Sequence, residues 1–230
     1  MKTNTCVVIP VYNSPFIYEV IKEVLSLDYE LIVVDDGSGQ AIIKNDLDFH
    51  LITHQTNMGK GEAILSGAKK AKELGYEYFV TMDADKQHIP SEIPKLLNAY
   101  EENTIVIGSR NFEHENVPKS SKFGRKFSNF WVNLETFRNF KDTQSGFRVY
   151  PVSILDLNIS NKRFDFEIEV LVLHCFRKGK TKEVDVECYY PPAEERVSHF
   201  DKVQDNIRLS LIHTKLTIQR FLLLRGFLWN

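Results

Sequence analysis

The chain is poor in cysteine: it has three in 230 residues, Cys6, Cys175 and Cys188, and no Cys-x-x-Cys pair. An odd number set in apolar surroundings argues for free thiols in a reducing compartment, and against a disulfide scaffold or a zinc site. No apolar run reaches the ~18–20 residues that a membrane span needs. No internal repeat or low-complexity linker interrupts the chain. Met1-Lys2-Thr3 leads straight into a core-like strand without a secretory leader, so a cytoplasmic protein is expected. An excess of positive charge is also lacking, with 29 Lys and Arg against 31 Asp and Glu and a net charge of -2. That argues against a general nucleic-acid binder, whose domain is ordinarily basic. What is present is a chain 43% hydrophobic and 26% charged, the balance of a globular protein with a substantial core.

Short apolar runs alternate with helical periodicity through the first half. Cys6 to Val11 reads as a buried strand. Ser14-Pro15 reads as a helix N-cap with proline at the first helical position, and Phe16, Ile17, Val20, Ile21, Val24 and Leu25 then repeat at helical spacing. Further strands are expected over 30–34, 51–53, 78–82 and 104–108. Helices are expected over 59–74, closed by Gly75, and over 91–101. This order implies right-handed crossovers and an open, Rossmann-like, mostly parallel α/β sheet flanked by helices. A loop and helix within 111–141, a helix over 166–177 and an alternating strand over 183–190 complete a domain spanning 1–195, with 196–230 as an extension.

In such sheets ligands sit beyond the carboxyl ends of the strands. Asn13, Asp35-Asp36, Asn57, Asp83 to Asp85 and Ser109-Arg110 each follow a strand, so polar groups gather along one edge. Independent surface turns would give the same pattern. The sharpest stretch is Thr81-Met82-Asp83-Ala84-Asp85-Lys86-Gln87-His88, where an apolar strand runs into two carboxylates one residue apart. Aspartates at i and i+2 of an extended chain share a side. A hard divalent cation such as Mg²⁺, held by one or two carboxylates and substrate phosphates, would relieve their repulsion. The alternative is a solvated acidic turn. His88 is a candidate base, with a structural turn at Ile89-Pro90 as the rival. Asn57-Met58-Gly59-Lys60-Gly61 is not a P-loop, because His54 stands where its first glycine would be and Gly61 where its Ser or Thr would be. Two glycines there suit a tight turn opening a helix, from which Lys60 could face a ligand.

The tail has no acidic residue from Asn206 to Asn230, yet carries Arg208, Lys215, Arg220 and Arg225 among apolar and aromatic residues. A basic amphipathic helix of this kind suits a membrane interface, giving peripheral contact through 206–230. A final core helix with surface cations is the other reading.

Taken in order, Val8 to Asn13, Val33 to Ser38, Asn57 to Gly61, Asp83 to Pro90, Gly108-Ser109-Arg110 and Asp142 to Arg148 resemble the family 2 glycosyltransferases, in particular their dolichol-phosphate mannose synthase-like branch. The resemblance covers roughly residues 5–190. It implies a GT-A fold and inverting, metal-dependent hexosyl transfer from a nucleotide-diphosphate sugar to a lipid-linked acceptor such as a polyprenyl phosphate. A hydroxyl of a glycolipid or surface saccharide is the alternative acceptor, and a nucleotide-sugar-binding module without turnover ranks lower.

On this resemblance Pro10, Tyr12, Asn13, Asp35, Asp36, Lys60, Asp83 and Ala84 line the nucleotide-sugar pocket. Asp83, Asp85 and Gln87 hold Mg²⁺ or Mn²⁺. Arg110 and Arg125 meet phosphates of donor or acceptor, and Asp142 is the base if the acceptor is a hydroxyl. A guanidinium and a divalent ion beside the departing diphosphate would stabilise the charge it gains. The chain lacks the Gln-x-x-Arg-Trp motif of the family's processive synthases, which points to single transfer. Arg196 to Phe200 departs from the mannose synthases. It is similar to an extension in small bacterial family 2 proteins of lipid and cell-envelope pathways, making Ser198 and His199 candidates for touching the acceptor.

Overall fold

The computed structural model describes residues 5–114, 116–163, 165–191 and 204–224. The Arg196–Phe200 segment and Arg225 therefore lie outside the described residues. In chain order the elements are β1 (Cys6–Val11), α1 (Ile17–Leu25), β2 (Glu30–Asp35), β3 (His50–Thr53), α2 (Lys60–Glu73), β4 (Tyr78–Thr81), α3 (Ile93–Ala99), β5 (Thr104–Arg110), α4 (Lys119–Thr136), β6 (Arg148–Pro151), α5 (Phe166–Phe176), β7 (Lys180–Val186) and α6 (Gln204–Leu224).

The seven strands form one sheet in the order β3-β2-β1-β4-β6-β5-β7. β6 runs antiparallel to both of its neighbours, and the other pairings are parallel. The mostly parallel sheet expected from the alternation is present. The reversal at β6 is not visible in a four-residue apolar run, because strand direction depends on partners far away in sequence.

Both faces of the sheet are covered, which is why its central strands read as continuous apolar runs rather than alternating ones. Cys6 and Val8 of β1 enter a cluster with Ala63, Ile64 and Ala68 of α2 and Phe166, Ile168 and Leu171 of α5. Val7, Ile9 and Val11 point the other way, to Val20, Ile21 and Val24 of α1 and Ile93 and Leu96 of α3. Gly67 lets α2 lie close to the sheet, since a Cβ there would sit 2.3 Å from Val8 Cγ1.

Helix α1 begins later than its sequence suggests. Ser14 does not cap it: its hydroxyl donates to the Ala84 carbonyl and accepts from the Phe16 amide, and Phe16 occupies the N-cap position. Helix α6 buries Leu209, Ile212 and Leu216 in the cluster that holds α2 and α5. Its His213 meets Glu135 of α4 at 3.0 Å, and its Lys215 meets Glu169 of α5 at 2.8 Å. One face of the tail is thus core, while Ile207, Leu211, Ile218 and Phe221 on the other are exposed. Among the described residues no helix is long and apolar enough to cross a membrane.

Candidate active site

The sheet order reverses between β1 and β4, and this is where an open α/β sheet offers a crevice. A cavity of about 570 Å³ opens there. Pro10, Tyr12 and Ser14 line it from the end of β1, Asp36 from β2, Asn57, Gly59 and Lys60 from the start of α2, and Asp83, Ala84, Asp85 and Gln87 from the end of β4. Segments separated by many residues therefore converge because parallel strands all end on one edge.

The acidic turn is held by its own residues. The Asp83 amide donates to His88 Nδ1 at 3.0 Å, and the Gln87 amide donates to Asp85 Oδ1 at 3.0 Å. His88 is buried, its ring stacks on Phe147 at 5.0 Å, and burial lowers its pKa to about 4. A neutral imidazole already accepting a backbone proton braces the turn; it does not serve as a base.

Lys60 Nζ bridges Asp83 at 2.6 Å and Glu167 of α5 at 2.8 Å. Burial pushes the Asp83 carboxyl up, but the Lys60 ammonium outweighs it, with help from His88, and brings the group down to about 2. For Lys60 burial opposes the charge, and Asp83 and Glu167 overcome it, so the pKa is raised. Asp85 differs: burial, then repulsion from Asp83, raises it to about 6.

This charge balance fits a divalent cation. Asp83, Asp85 and Glu167 place three formal carboxylates around one ammonium, while Arg110 is already matched by Asp142. Among the described residues no cluster of three or more His, Cys, Asp or Glu side chains forms a ready-made cage. A site of two carboxylates completed by substrate phosphates is the usual arrangement for Mg²⁺.

Asp35, Asp36 and Asn13 are largely occupied with the loops. Asp36 accepts from the Met58 amide at 2.9 Å and the Gly59 amide at 2.8 Å, and meets His54 Nδ1 at 2.7 Å. It thereby fixes the entry to α2, where Gly59 has φ 103 and a Cβ would lie 2.3 Å from the Lys162 carbonyl oxygen. Asp35 accepts from the Ser38 amide at 2.9 Å, and Asn13 accepts from the Gly39 amide at 2.9 Å. Of the three, Asp36 alone is among the cavity-lining residues. Asn57 Oδ1 is buried without a hydrogen-bond partner, an acceptor available to a ligand at the cavity wall.

Arg110 and Asp142 form a closed pair. Arg110 Nε and backbone N donate to Asp142 Oδ2 at 2.7 and 3.1 Å, and its second guanidinium nitrogen donates to Oδ1 at 2.9 Å. Asp142 has no exposed surface, and although burial pushes its carboxyl up, Arg110 holds it below the usual range. An anion so buried and so fully engaged is badly placed to take a proton from an acceptor hydroxyl. Arg110 lowers the pKa of both Asp83 and Asp85, behind Lys60 in each case, and neither it nor Asp142 is among the cavity-lining residues. Arg125 does not line the cavity; it donates to the Lys141 carbonyl at 2.6 Å and the Arg110 carbonyl at 3.2 Å. Its guanidinium and that of Arg110 lie 4.2 and 4.9 Å from the centroid of Phe112.

A family model described as Glycosyl transferase family 2 matches residues 6–158. The chain belongs to glycosyl transferase family 2. This glycosyltransferase is 30% identical over 212 residues to the UDP-N-acetylglucosamine--dolichyl-phosphate N-acetylglucosaminyltransferase of Methanococcus voltae, covering 80% of this chain and 84% of that one. It is 28% identical over 191 residues to the undecaprenyl-phosphate mannosyltransferase of Micrococcus luteus, covering 75% and 78%. The glucosyl-3-phosphoglycerate synthase of Mycobacterium tuberculosis, solved with Mn²⁺ and UDP-glucose, superposes with a TM-score of 0.65 at 18% identity over 94% of this chain and 78% of that one. The glycosyltransferase has the GT-A fold and is a nucleotide-sugar-dependent hexosyltransferase of the dolichol-phosphate mannose synthase-like branch.

Three features of the site do not stand out in the sequence. Glu167 is half of an acidic pair, with Glu169, inside an apolar helix, and a carboxylate in such a run needs a partner. Arg163 lines the cavity from the loop before α5. Gly146 lies against the Lys60–Asp83 bridge, where a Cβ would be 2.7 Å from Nζ and 2.8 Å from Oδ2. Gly146→Ala is expected to displace the lysine tip and lower kcat/KM by roughly tenfold to a hundredfold, with little change in melting temperature because the clash falls on a flexible end. Steady-state kinetics beside a thermal melt check this; a large melting loss with unchanged kinetics would contradict it.

Proposed function

We propose that the chain transfers a hexose, with inversion, from a nucleotide-diphosphate sugar to a lipid-linked acceptor of the polyprenyl-phosphate class at a membrane face. The observation that favours a phosphate acceptor is the sequestration of Asp142. A hydroxyl acceptor needs a base on its attacking oxygen, whereas a phosphate is already anionic and needs none. The two curated relatives described above are named for dolichyl-phosphate and undecaprenyl-phosphate transfer, which supports the same class.

In this reading Pro10, Tyr12, Asp36 and Asn57 contact the nucleoside portion, and Ala84 leaves room between the two carboxylates. Asp35 and Asn13 act through the loops they brace. Asp83, Asp85 and Gln87 hold Mg²⁺ or Mn²⁺. The bound ion supplies positive charge beside the departing diphosphate. Lys60, anchored by Glu167, keeps Asp83 ionised and aimed. Arg110, anchored by Asp142, and Arg125 lie on the side from which the acceptor phosphate approaches. The exposed face of α6 provides peripheral contact with the bilayer.

The test is transfer from a panel of radiolabelled nucleotide sugars to undecaprenyl phosphate and dolichyl phosphate in detergent, with saccharide and glycolipid hydroxyl acceptors in parallel. Product on a phosphate acceptor, cleaved by mild acid, is expected. Product on hydroxyl acceptors alone would overturn the reading.

A further inference from the structure

Lys60 and Arg163 are the cations among the residues that line the cavity. The Lys60 ammonium is committed to Asp83 and Glu167, at 2.6 and 2.8 Å. Lys162, beside Arg163 in the chain, is paired with Glu62 at 2.9 Å. The Arg163 guanidinium has no ion pair among the described residues. Its stem packs over the turn into α2, where a Cβ on Gly59 would lie 2.9 Å from Arg163 Cγ. A nucleotide diphosphate entering this cavity meets the carboxylates of Asp36, Asp83 and Asp85. An uncommitted guanidinium on the same wall suits its phosphate oxygens.

The loop that carries Arg163 is fastened in two places. On one side the Lys162 carbonyl accepts from the Gly61 and Glu62 amides at 2.8 and 3.3 Å, taking up donors that the first turn of α2 leaves unsatisfied. On the other, the Ser160 and Asn161 amides donate to Glu169 Oε2 at 2.9 and 2.7 Å, and the Ser160 hydroxyl donates to Oε1 at 2.8 Å. Lys215 of α6 closes this second fastening, donating to Glu169 Oε1 at 2.8 Å and to Ser160 Oγ at 2.6 Å. Glu169 has no exposed surface. Burial pushes its carboxyl up, but Lys215, with the Asn161 amide and Ser160, holds it below the usual range. Lys215 thus keeps ionised the carboxylate that both loop amides use as their acceptor. The packing of α6 does not need this lysine, because Leu209, Ile212 and Leu216 already bury the helix in the core.

We infer that Arg163 is a further donor-binding residue, contacting the nucleotide diphosphate, and that Lys215 is its positioning residue, acting through Glu169 and residues 160–163. The last described helix thereby has a hold on the donor cavity, although none of its residues lines it. Both roles concern the nucleotide alone and hold whichever acceptor takes the sugar.

The experiment measures binding of UDP, GDP, CDP and ADP, each with Mn²⁺, to the full chain by calorimetry, and follows the tightest of them. Arg163→Ala should raise Kd about tenfold, the weight of one charge-assisted contact. Lys215→Met should raise it roughly fivefold, and Lys215→Arg should bring it back to within about twofold of wild type. Ser160→Ala keeps both charges, loosens the same fastening with little risk to the fold, and should raise Kd about threefold. The readout that a merely structural lysine would not move is the double-mutant cycle: on the Arg163→Ala background, Lys215→Met should change Kd by less than about twofold. Wild-type affinity in Arg163→Ala overturns the donor contact. A Lys215→Met effect that persists in full without Arg163, or wild-type affinity in both Lys215→Met and Ser160→Ala, overturns the positioning role. Failure of the wild type to bind any of the four nucleotides overturns both.

Discussion

Asp85→Ala is expected to lower kcat/KM by about a thousandfold, the order of several kcal/mol of transition-state charge stabilisation, while the protein stays folded. The reason lies in the unequal environments of the two aspartates. Asp83 has Lys60 at 2.6 Å; Asp85, pushed to about 6 by burial and by Asp83, is the carboxylate that an added cation would relieve. A carboxyl whose folded pKa is raised contributes stability below its ordinary value of about 4 and loses it as pH rises through about 6. The ion-free protein therefore carries an unfavourable charge at neutral pH. Mn²⁺ should raise the melting temperature at pH 7.5 and do so much less at pH 5. Asp85→Asn should raise the melting temperature of the ion-free protein at pH 7.5 and abolish the Mn²⁺ response. Activity of Asp85→Ala within tenfold of wild type would remove the metal role from this turn.

Arg110→Ala should be the most damaging single change to the fold at the site. It strands Asp142, which has no exposed surface, as an unpaired buried anion. Breaking such a pair costs about 3–5 kcal/mol, or roughly 10 °C in melting temperature for a chain of this size. Asp142→Asn keeps the shape and is gentler on stability. It separates two roles. A base would be needed for hydroxyl acceptors alone, and its loss would spare transfer to a phosphate. A positioning anion would be needed for both, because Arg110 would lose the bonds at 2.7 and 2.9 Å that fix its guanidinium. The expected result is a fall in kcat of about a hundredfold on a phosphate acceptor, with KM for the donor little changed and the shape of the pH profile preserved. Full phosphate transfer by Asp142→Asn would refute the positioning role.

The strand ends were legible in the sequence because apolar runs stop where the backbone leaves the sheet, and the ligand edge of a parallel sheet is wherever they stop. That is enough to bring Asp36, Lys60, Asp83 and Asp85 to one cavity. It does not say how each side chain is used. Asp36 spends its oxygens on the amides of Met58 and Gly59, and Arg125 spends its donors on carbonyls, because backbone groups in tight turns compete for the same charges. Glu167 was illegible for a different reason: its partner comes from another helix, 107 positions earlier in the chain, and no local pattern reports a pairing at that separation. Phe123, Phe127 and Phe130 of α4 recur at helical spacing and are exposed, and that they share a face was readable in principle. Periodicity shows which residues share a helical face, but not which face is turned to solvent.

The placement of β6 has a consequence for how the chain is made. β6 pairs residues 148–151 with 78–81 on one side and also joins β5 on the other, so the middle of the sheet stays open until that segment is available. Arg148, fully buried, then donates to the carbonyls of Thr143, Ser145 and Glu167 and locks the loop carrying Asp142 and Gly146. Pairings this distant in sequence form slowly. During synthesis β4 and β5 present unpaired edges to whatever is nearby, the condition in which strands aggregate. A nascent chain stopped before residue 148 should therefore be far less soluble than one stopped after 191.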